Sequence, residues 1–319
     1  MLKKYFDYED NYEKLQDKVK ELKDLSEQLQ FNLDGELEKL EMQMQNIRQV
    51  KYGNLSPWEK VLLSRHSERP NAQEYIDFLL DDFIELHGDR FYGDDSAVIA
   101  GVGSFEGYPL TILAHQKGKE TNDKVAHNFG MPHPEGYRKV ERLLLQSEKF
   151  HRPVLNLIDT PGAFPGVGAE ERGQASSIAR VLMLLSDLRV PVISIVTGEG
   201  GSGGALALGV SDRLLMLTNS VFSVISAEAC ATIMFKEIEK AQEMAAALKI
   251  TAEDLLKLGI IDEIIEEPVG GAHLDFTTTA GNIADGIRKH LIELRNRDIN
   301  QLMTERYLKI RNIGEFIEP

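Results

Sequence analysis

The 319-residue sequence contains one cysteine, Cys230, so it can form neither an internal disulfide nor a cysteine-rich zinc site. None of its eight histidines stands in a zinc-binding spacing such as H-E-x-x-H. No stretch approaches the roughly 18 apolar residues that a transmembrane helix requires, and the N-terminus turns acidic at Asp7 before any signal-like apolar core. These absences predict a cytoplasmic protein that holds no metal of its own and does not span a membrane.

Basic residues are scarce relative to acidic ones. The sequence has 36 lysines and arginines against 51 aspartates and glutamates, a net charge of -15. An anionic surface disfavours nucleic acids and anionic membranes as main partners. The hydrophobic fraction of 42% and the mean hydropathy of -0.25 are typical of a soluble globular protein.

Residues 8–52 contain no proline and one glycine, and their apolar residues repeat with helical spacing. These residues are Leu15, Val19, Leu22, Leu25, Leu29, Leu33, Leu37, Leu40, Met44 and Ile47. The pattern, interrupted at Asp34-Gly35, predicts a helical, coiled-coil-like arm over residues 1–55, followed by a main domain over 56–300 and a C-terminal tail over 301–319. The arm can either pack on its own domain or bind a partner.

The main domain alternates predicted strands and helices. Two apolar runs, 97–105 and 108–116, flank Glu106-Gly107 and predict a hairpin. The other predicted strands cover residues 154–158, 190–197, 213–217, 221–225 and 260–265. The main predicted helices cover residues 72–86, 134–150, 169–188, 251–258 and 280–294. This alternation predicts an α/β fold of stacked ββα units.

A glycine-rich stretch, GEGGSGGA at residues 198–205, follows one of the predicted buried strands and precedes a short helix. Such a turn exposes backbone N–H groups, and the helix dipole favours negative charge there. The stretch suits a phosphate-binding loop, an oxyanion hole or a nucleophile turn. The simpler alternative is a tight strand-to-helix connection that needs glycine for packing.

Several catalytic classes fit poorly. Asp159-Thr160-Pro161-Gly162 resembles the D-x-x-G element of GTPases, but the sequence has no phosphate loop. Residues 200–204 match G-x-S-x-G, yet only His273 and His290 follow, and the predicted strand ends well before Ser202. Glu170 and Glu171 could perform acid–base chemistry, although first-turn acidic residues more often stabilise a helix.

Several motifs together resemble the alpha subunit of bacterial acetyl-coenzyme A carboxylase carboxyltransferase, over residues 5 to 315. Besides the glycine-rich stretch they are ELHGDR at 85–90, QKGKET at 116–121, NFGMPHPEGYRK at 128–139, IDTPGAFPGVGAEERGQ at 158–174 and PVGGAH at 268–273. The resemblance implies a crotonase-like ββα superhelix. It also implies a transferase that moves a carboxyl group from carboxybiotin to acetyl-CoA and forms malonyl-CoA for fatty acid synthesis.

The resemblance further implies partners. A zinc-bearing beta subunit would hold most of the CoA, a separate carrier protein would bring the carboxybiotin, and a biotin carboxylase, which uses ATP, would charge it. The expected core is an alpha2beta2 heterotetramer, active only when both subunits are present. Two alternatives stay open: an acyl-CoA hydratase or isomerase of the crotonase type, and a non-catalytic partner subunit.

The implied site consists mainly of backbone. Negative charge on the ureido oxygen of biotin needs N–H donors rather than a side-chain base, and the amides of Gly203 and Gly204 would form this oxyanion hole. The other implied binding residues are Gly201, Ala205, Gly162, Ala163, Phe164, Gly166, Lys117, Lys119 and Arg138. The three cations, together with Lys139, could form a basic entrance for CoA phosphates or the carboxyl group, or could simply be solvated.

The sequence departs from the family pattern after Ser226. Ala227 and Ala229 stand where the family usually has proline and glycine, and Phe235 stands where tryptophan is common. The methyl group of Ala229 could narrow the pocket. Alternatively, alanine is tolerated there because it is small and favours helix.

Overall fold

The computed structural model of the chain describes residues 18–19, 21–23 and 34–314. Its strands are β1 (Phe83–Glu85), β2 (Val98–Phe105), β3 (Tyr108–His115), β4 (Val154–Thr160), β5 (Val192–Gly201), β6 (Arg213–Leu217), β7 (Val221–Ser223) and β8 (Glu263–Ile265). Its helices up to β5 are α1 (Asp34–Tyr52), α2 (Pro57–Ser64), α3 (Ala72–Leu79), α4 (Thr121–Ala126), α5 (Pro134–Lys149), α6 (Val167–Glu171) and α7 (Gln174–Asp187). The later helices are α8 (Ser202–Gly209), α9 (Ala227–Phe235), α10 (Ala241–Ala247), α11 (Ala252–Lys257), α12 (Phe276–Arg295) and α13 (Ile299–Arg311).

The eight strands form one sheet in the order β1-β2-β3-β4-β5-β6-β8, with β7 paired to the end of β5. The hairpin β2–β3 turns at Glu106 (φ 49°) and Gly107 (φ 80°), two successive left-handed residues as a two-residue hairpin turn requires. The remaining pairs, from β3 onward, are parallel. The predicted α/β architecture is confirmed.

Helices cover both faces of the sheet. On one face α3 and α12 pack on apolar residues of the strands, including Ile112, Leu155, Ile195 and Leu215. On the other face α5, α7 and α8 pack on the alternate residues, including Leu113, Ile158, Val196 and Met216. Because both faces are buried, the parallel strands are apolar at nearly every position, which explains the continuous apolar runs in the sequence.

The predicted helix over residues 72–86 is wrong in its second half. The helix ends at Leu79, and Phe83–Glu85 forms β1 on the edge of the sheet, antiparallel to β2. Gly101 and Gly103 of β2 make this pairing possible, because a Cβ on either residue would overlap the backbone or the Phe83 ring of the β1 segment. The partner that decides the conformation of β1 therefore lies some 18 residues further along the chain.

The predicted helix over residues 169–188 is broken. Helix α6 ends at Glu171, and α7 starts after Gly173, whose left-handed conformation (φ 87°) no helix interior accepts. The intervening Arg172 turns toward α5 and donates two hydrogen bonds to Glu135, 2.9 and 3.0 Å. The break therefore supplies a contact between the α6 segment and α5.

Residues 18–19, 21–23 and 34–52 toward one end of the chain, and residues 299–311 toward the other, are helical. Val19 and Met44 are buried against each other, with Leu37 and Leu40 packed beside them. Leu15, Leu25, Leu29 and Leu33 of the predicted arm, and residues 315–319 of the predicted tail, lie outside the described residues. Helix α13 begins at Ile299, two residues before the predicted tail, and buries Leu302 and Arg306. The division into arm, main domain and tail stays a prediction.

Candidate active site

Strand β5 runs further than the sequence indicated. It was predicted to end at residue 197, but residues 199–201 stay extended because β7 pairs with them. Ser202 then adopts a left-handed conformation (φ 53°), and α8 begins at once. Ser202 therefore stands at the tip of a strand, as a nucleophile turn requires, and the prediction that the strand ends well before Ser202 was wrong.

The described residues nevertheless provide no histidine and carboxylate to activate Ser202 as in a serine hydrolase. His273 stacks on His66 with ring centroids 4.2 Å apart, and the Nε2 atom of His290 lies 2.7 Å from Glu263. Within the described residues, no histidine or carboxylate hydrogen-bonds the Ser202 hydroxyl. The glycine-rich stretch consequently offers backbone groups rather than an activated hydroxyl.

The backbone groups on offer are the first N–H groups of α8. Gly201 precedes the helix and no side chain caps it. The first amides of a helix have no partner within the helix, and the helix dipole adds partial positive charge to them. Gly203 is half-buried, whereas Gly204 and Ala205 are buried. The site thus presents N–H donors suited to a negatively charged or strongly polar oxygen.

The loop after β4 lies directly against this helix start. A Cβ added to Gly204 would lie 2.6 Å from the Ala163 nitrogen and 2.6 Å from the Gly162 carbonyl carbon, and one added to Gly201 would overlap the Pro161 carbonyl. Nothing lies within 4 Å of a Cβ added to Gly203. Glycine is therefore required at 201 and 204 by loop packing, while position 203 borders open space.

The same loop is fixed at two further points. The Thr160 hydroxyl donates to the Gly162 carbonyl (2.8 Å) and accepts from the Gly162 N–H (3.0 Å). The Phe164 ring stacks on His133 with centroids 4.1 Å apart, and a Cβ on Gly166 would overlap that ring. The loop is therefore held to the start of α5. The predicted residues Gly162 and Ala163 lie against Gly204, whereas Phe164 and Gly166 lie beside His133.

A cavity of about 290 Å³ opens beside Gly203. Its lining is mostly apolar and comprises Ser202, Gly203, Leu206, Phe222, Ser223, Val224, Leu248, Lys249, Ile250, Leu255 and Ile260. An apolar cavity bordered by a few converging polar groups is typical of a small-molecule site. The sequence did not indicate this cavity, because its walls combine α8 with β7, α11 and the segments next to α11, which lie far apart in the chain.

The predicted cations lie close to these loops but are paired. Lys117 lies 2.8 Å from Asp159 and 2.7 Å from Glu199, and Lys119 lies 2.7 Å from Glu74. Burial lowers the pKa of Lys117, but the two carboxylates outweigh it and raise the pKa above its usual value.

Two further cations of the predicted entrance are also paired. Arg138 lies 2.9 Å from Asp89 and 2.7 Å from Glu135, and Lys139 lies 2.6 Å from Asp94. A basic entrance formed by these residues stays a prediction, and an anionic ligand there would have to share these cations with their carboxylates.

Sequence reasoning missed Glu199 and Arg65. The Glu199 carboxylate is nearly buried and lies 2.5 Å from Arg65, which also contacts Glu228. Burial raises the pKa of Glu199, but the charges of Lys117 and Arg65 outweigh it and lower the pKa to about 2. The available signal was a charged residue between glycines in an apolar strand, a place where charge needs a partner.

The departures from the family pattern lie on α9. Ala227 is buried and Ala229 is exposed, and the Ser226 hydroxyl accepts the Ala229 N–H at 3.1 Å. Ala229 lines neither the 290 Å³ cavity nor the small pocket at Gly200 and Gly201. The effect of both alanines on activity stays a prediction.

Within the described part of the chain, no group of three or more histidine, cysteine, aspartate or glutamate side chains could hold a metal ion. Among residues 18–19, 21–23 and 34–314, no helix combines the length and apolarity needed to cross a bilayer.

The sequence matches the family model described as acetyl co-enzyme A carboxylase carboxyltransferase-like over residues 5–314. It is 59% identical over 316 residues to the acetyl-coenzyme A carboxylase carboxyl transferase subunit alpha of Syntrophomonas wolfei, covering 99% of both chains. It is 49% identical to the subunit of the same name from Halalkalibacterium halodurans, covering 97% of this chain and 95% of the relative.

Solved structures support the fold. Transcarboxylase 12S with methylmalonyl-coenzyme A bound superposes with a TM-score of 0.57 at 20% identity, over 72% of this chain and 42% of that chain, so the chain spans less than half of that protein. A Pseudomonas malonate decarboxylase hetero-tetramer in complex with coenzyme A gives 0.56 at 18% identity, over 69% and 90%. The predicted crotonase-type fold is confirmed. On its full-length match to the family, this chain belongs to the acetyl-coenzyme A carboxylase carboxyltransferase alpha subunits.

Proposed function

We propose that this chain is the biotin-side half of an acetyl-CoA carboxylase carboxyltransferase, in which a carboxyl group passes from carboxybiotin to acetyl-CoA to form malonyl-CoA. Membership of the alpha-subunit family supports a carboxyl transferase that acts with a beta subunit. The contribution of this half to the reaction follows from its own residues.

The uncapped amides at the start of α8, next to the apolar cavity, carry the proposal. Biotin combines a cyclic urea, whose oxygen accepts hydrogen bonds, with an apolar body and side chain. The N–H groups of Gly203 and Gly204 suit the urea oxygen. The cavity walls formed by Leu206, Phe222 and Ile250 suit the apolar body and side chain. The residues present therefore suit this group, which when bound would supply the carboxyl to be transferred.

The chain contributes electrostatic stabilisation rather than a side-chain acid or base. Donors that are already aimed at an oxygen stabilise negative charge developing on it without reorganising. The packing of Ala163 against Gly204 fixes the helix start, and the stacking of Phe164 on His133 fixes the loop that holds Ala163. Water is kept from one side of the amides by this loop.

The CoA substrate and the partners are proposed on the same basis. The solved relatives include an assembly of several subunits with bound coenzyme A and a transcarboxylase with a bound acyl-CoA. We expect a zinc-bearing beta subunit to hold most of the acetyl-CoA, in an alpha2beta2 core served by a biotin carboxyl carrier protein and a biotin carboxylase in the cytoplasm. Lys119 and Arg138 are the candidates in this chain for contacts with CoA phosphates.

The test is co-expression of the chain with the beta subunit of its own operon or genome. The purified pair should form a stable hetero-oligomer and should produce acetyl-CoA from malonyl-CoA in the presence of free biotin. The isolated chain should be inactive in this assay and on enoyl-CoA. Hydration of an enoyl-CoA by the chain alone would instead establish a crotonase-type hydratase, and a pair that assembles without carboxyl transfer would indicate a non-catalytic subunit.

A further inference from the structure

Strands β4 and β5 lose their regular register just before the active site. Ile158 stands opposite Val196, but Thr160 stands opposite Gly200, so residue 159 of β4 faces residues 197–199 of β5. A bulge of this kind redirects the strand that carries the extra residues, and bulges are frequent beside active sites. Here it sets the direction in which Gly200, Gly201 and the start of α8 leave the sheet.

The side chain of Asp159 fills this bulge. Its Oδ1 atom accepts the Glu199 backbone N–H at 2.8 Å, replacing a strand hydrogen bond that the bulge disrupts. A Cβ on Gly198 would lie 2.5 Å from the same carboxylate oxygen, so glycine at 198 makes room for it. The shape of the bulge therefore depends on where this carboxylate is held.

One ammonium group holds both carboxylates at the bulge. Lys117, two residues after β3, lies 2.8 Å from Asp159 and 2.7 Å from Glu199. Arg65 binds the other oxygen of Glu199 at 2.5 Å. A Cβ on Gly130 would lie 2.6 Å from the Lys117 Cγ, so the loop before α5 packs on the lysine stem.

We propose that Lys117, Asp159 and Glu199 are positioning residues for carboxyl transfer, which hold the β5 bulge so that the first amides of α8 face the substrate. The inference rests on the proposed function and adds to it three residues that do not contact the substrate. It also assigns Lys117 a different role from the basic entrance, since its ammonium is used between two carboxylates. Pairs as close as these behave as one unit, because each charge loses its partner when another is removed.

The experiment uses the complex with the beta subunit and five variants. Lys117→Met and Asp159→Asn each remove one of the three charged groups, and a double variant combines these two substitutions. Lys117→Arg keeps the charge, and Lys60→Met is the matched control. Lys60 is another buried lysine, and its ammonium is paired with Glu253 rather than with Asp159 or Glu199. The reaction of malonyl-CoA with free biotin is measured, together with thermal unfolding and co-purification with the beta subunit.

We expect Lys117→Met and Asp159→Asn to lower kcat by about 10²-fold, the effect of a displacement of about 1 Å in a reacting geometry. The KM for malonyl-CoA should change less than twofold, Lys117→Arg should recover at least a tenth of the activity, and Lys60→Met should behave as the unmutated complex. The double variant of Lys117→Met and Asp159→Asn should have a kcat only slightly lower than that of either single variant.

Asp159→Asn separates positioning from direct contact with an anion. Removing this carboxylate leaves Lys117 freer to bind an anion, so a contact role predicts an unchanged kcat and a lower KM, which would overturn the proposal. Unchanged kcat in Lys117→Met would overturn it as well. If Lys117→Met fails to assemble, Glu199→Gln, of nearly equal shape, is judged by the same criteria. Failure of the proposed function is a separate result, because then the unmutated complex also lacks carboxyl transfer.

Discussion

The carboxylate of Asp212 and the guanidinium of Arg306 form a fully buried, two-point ion pair. Nε lies 2.8 Å from Oδ1 and Nη2 lies 2.8 Å from Oδ2. The remaining N–H groups of Arg306 donate to the carbonyls of Leu185, Leu188 and Val190. One side chain thus attaches α13 to the end of α7 and to the start of β5.

Replacing Arg306 by methionine should destabilise the chain strongly. The substitution leaves Asp212 as a buried charge without its cation, a change that typically costs about 3–5 kcal/mol. Urea unfolding monitored by circular dichroism should show a lower midpoint. Arg311→Met, at the exposed end of the same helix, is the control and should change stability by less than about 0.5 kcal/mol. Equal midpoints for the two variants would contradict the structural role of Arg306.

Gly204→Val and Gly203→Ala should differ in stability. The valine Cβ at 204 would collide with the Gly162 and Ala163 backbone, and overpacking of this kind costs about 1–3 kcal/mol. The alanine Cβ at 203 meets no atom within 4 Å and should leave the unfolding midpoint unchanged.

Both glycine variants should reduce carboxyl transfer by the complex with the beta subunit. Misaligning one donor of an oxyanion hole costs about 10²–10³ in rate, as we expect for Gly204→Val, whereas the methyl group at 203 borders the proposed ligand space and acts by obstruction. The affinity of the complex for malonyl-CoA should be nearly unchanged. Full activity in Gly204→Val would argue against the first amides of α8 as the site.

Substitutions of Ser202 should preserve activity. Its hydroxyl has no catalytic partner in the described part of the chain, so Ser202→Ala and Ser202→Gly should keep most of the carboxyl transfer. Because Ser202 has φ 53°, which glycine adopts without strain, Ser202→Gly should be more stable than Ser202→Ala by about 1 kcal/mol. Loss of activity in both variants would instead indicate that Ser202 is a catalytic nucleophile.

Stability should fall in mild acid because of His115. Burial, and secondarily the charge of Lys117, lower the pKa of His115 to about 3 from its ordinary 6.5. The native state therefore keeps the ring neutral, whereas the unfolded chain binds a proton below pH 6.5. The free energy of unfolding is therefore unaffected by His115 above pH 6.5 and decreases as the pH falls toward 3. At pH 5 the decrease is about 2 kcal/mol.

Urea unfolding of the unmutated chain and of His115→Gln at pH 7.5 and pH 5 measures this effect. Glutamine does not titrate, so the variant should lose less stability between the two pH values. An equal loss in both proteins would assign the acid sensitivity to other groups.

The sequence predicted those elements whose signals are local. The capping box of Ser56 and Glu59, with Pro57 at the first helical position, is such a local signal and marks the start of α2. Glu106-Gly107 specifies the β2–β3 turn by the conformations that both residues accept. In each case the residues that determine the conformation are neighbours in the chain.

Distant partners account for the errors. Phe83 is extended because glycines in β2 leave room for its ring. Residues 199–201 are extended because β7 pairs with them. The candidate site shows the same division. Local glycine content identified the backbone donors, whereas the cavity walls and the contacts of Lys117 with Asp159 and Glu199 join segments from different parts of the chain.

The pair formed by Asp212 and Arg306 has a consequence during synthesis. The aspartate is synthesised 94 residues before the arginine, ahead of β6, β7, β8 and α13. Until α13 follows, this carboxylate can accept the Val192 backbone N–H, at 2.7 Å, but lacks the guanidinium of Arg306. An unpaired carboxylate resists burial, so we expect closure of the core around β5 and β6 to wait for α13. Chains interrupted before residue 306 would then expose this edge to proteases and chaperones, and only completed chains would reach the beta subunit with a closed core.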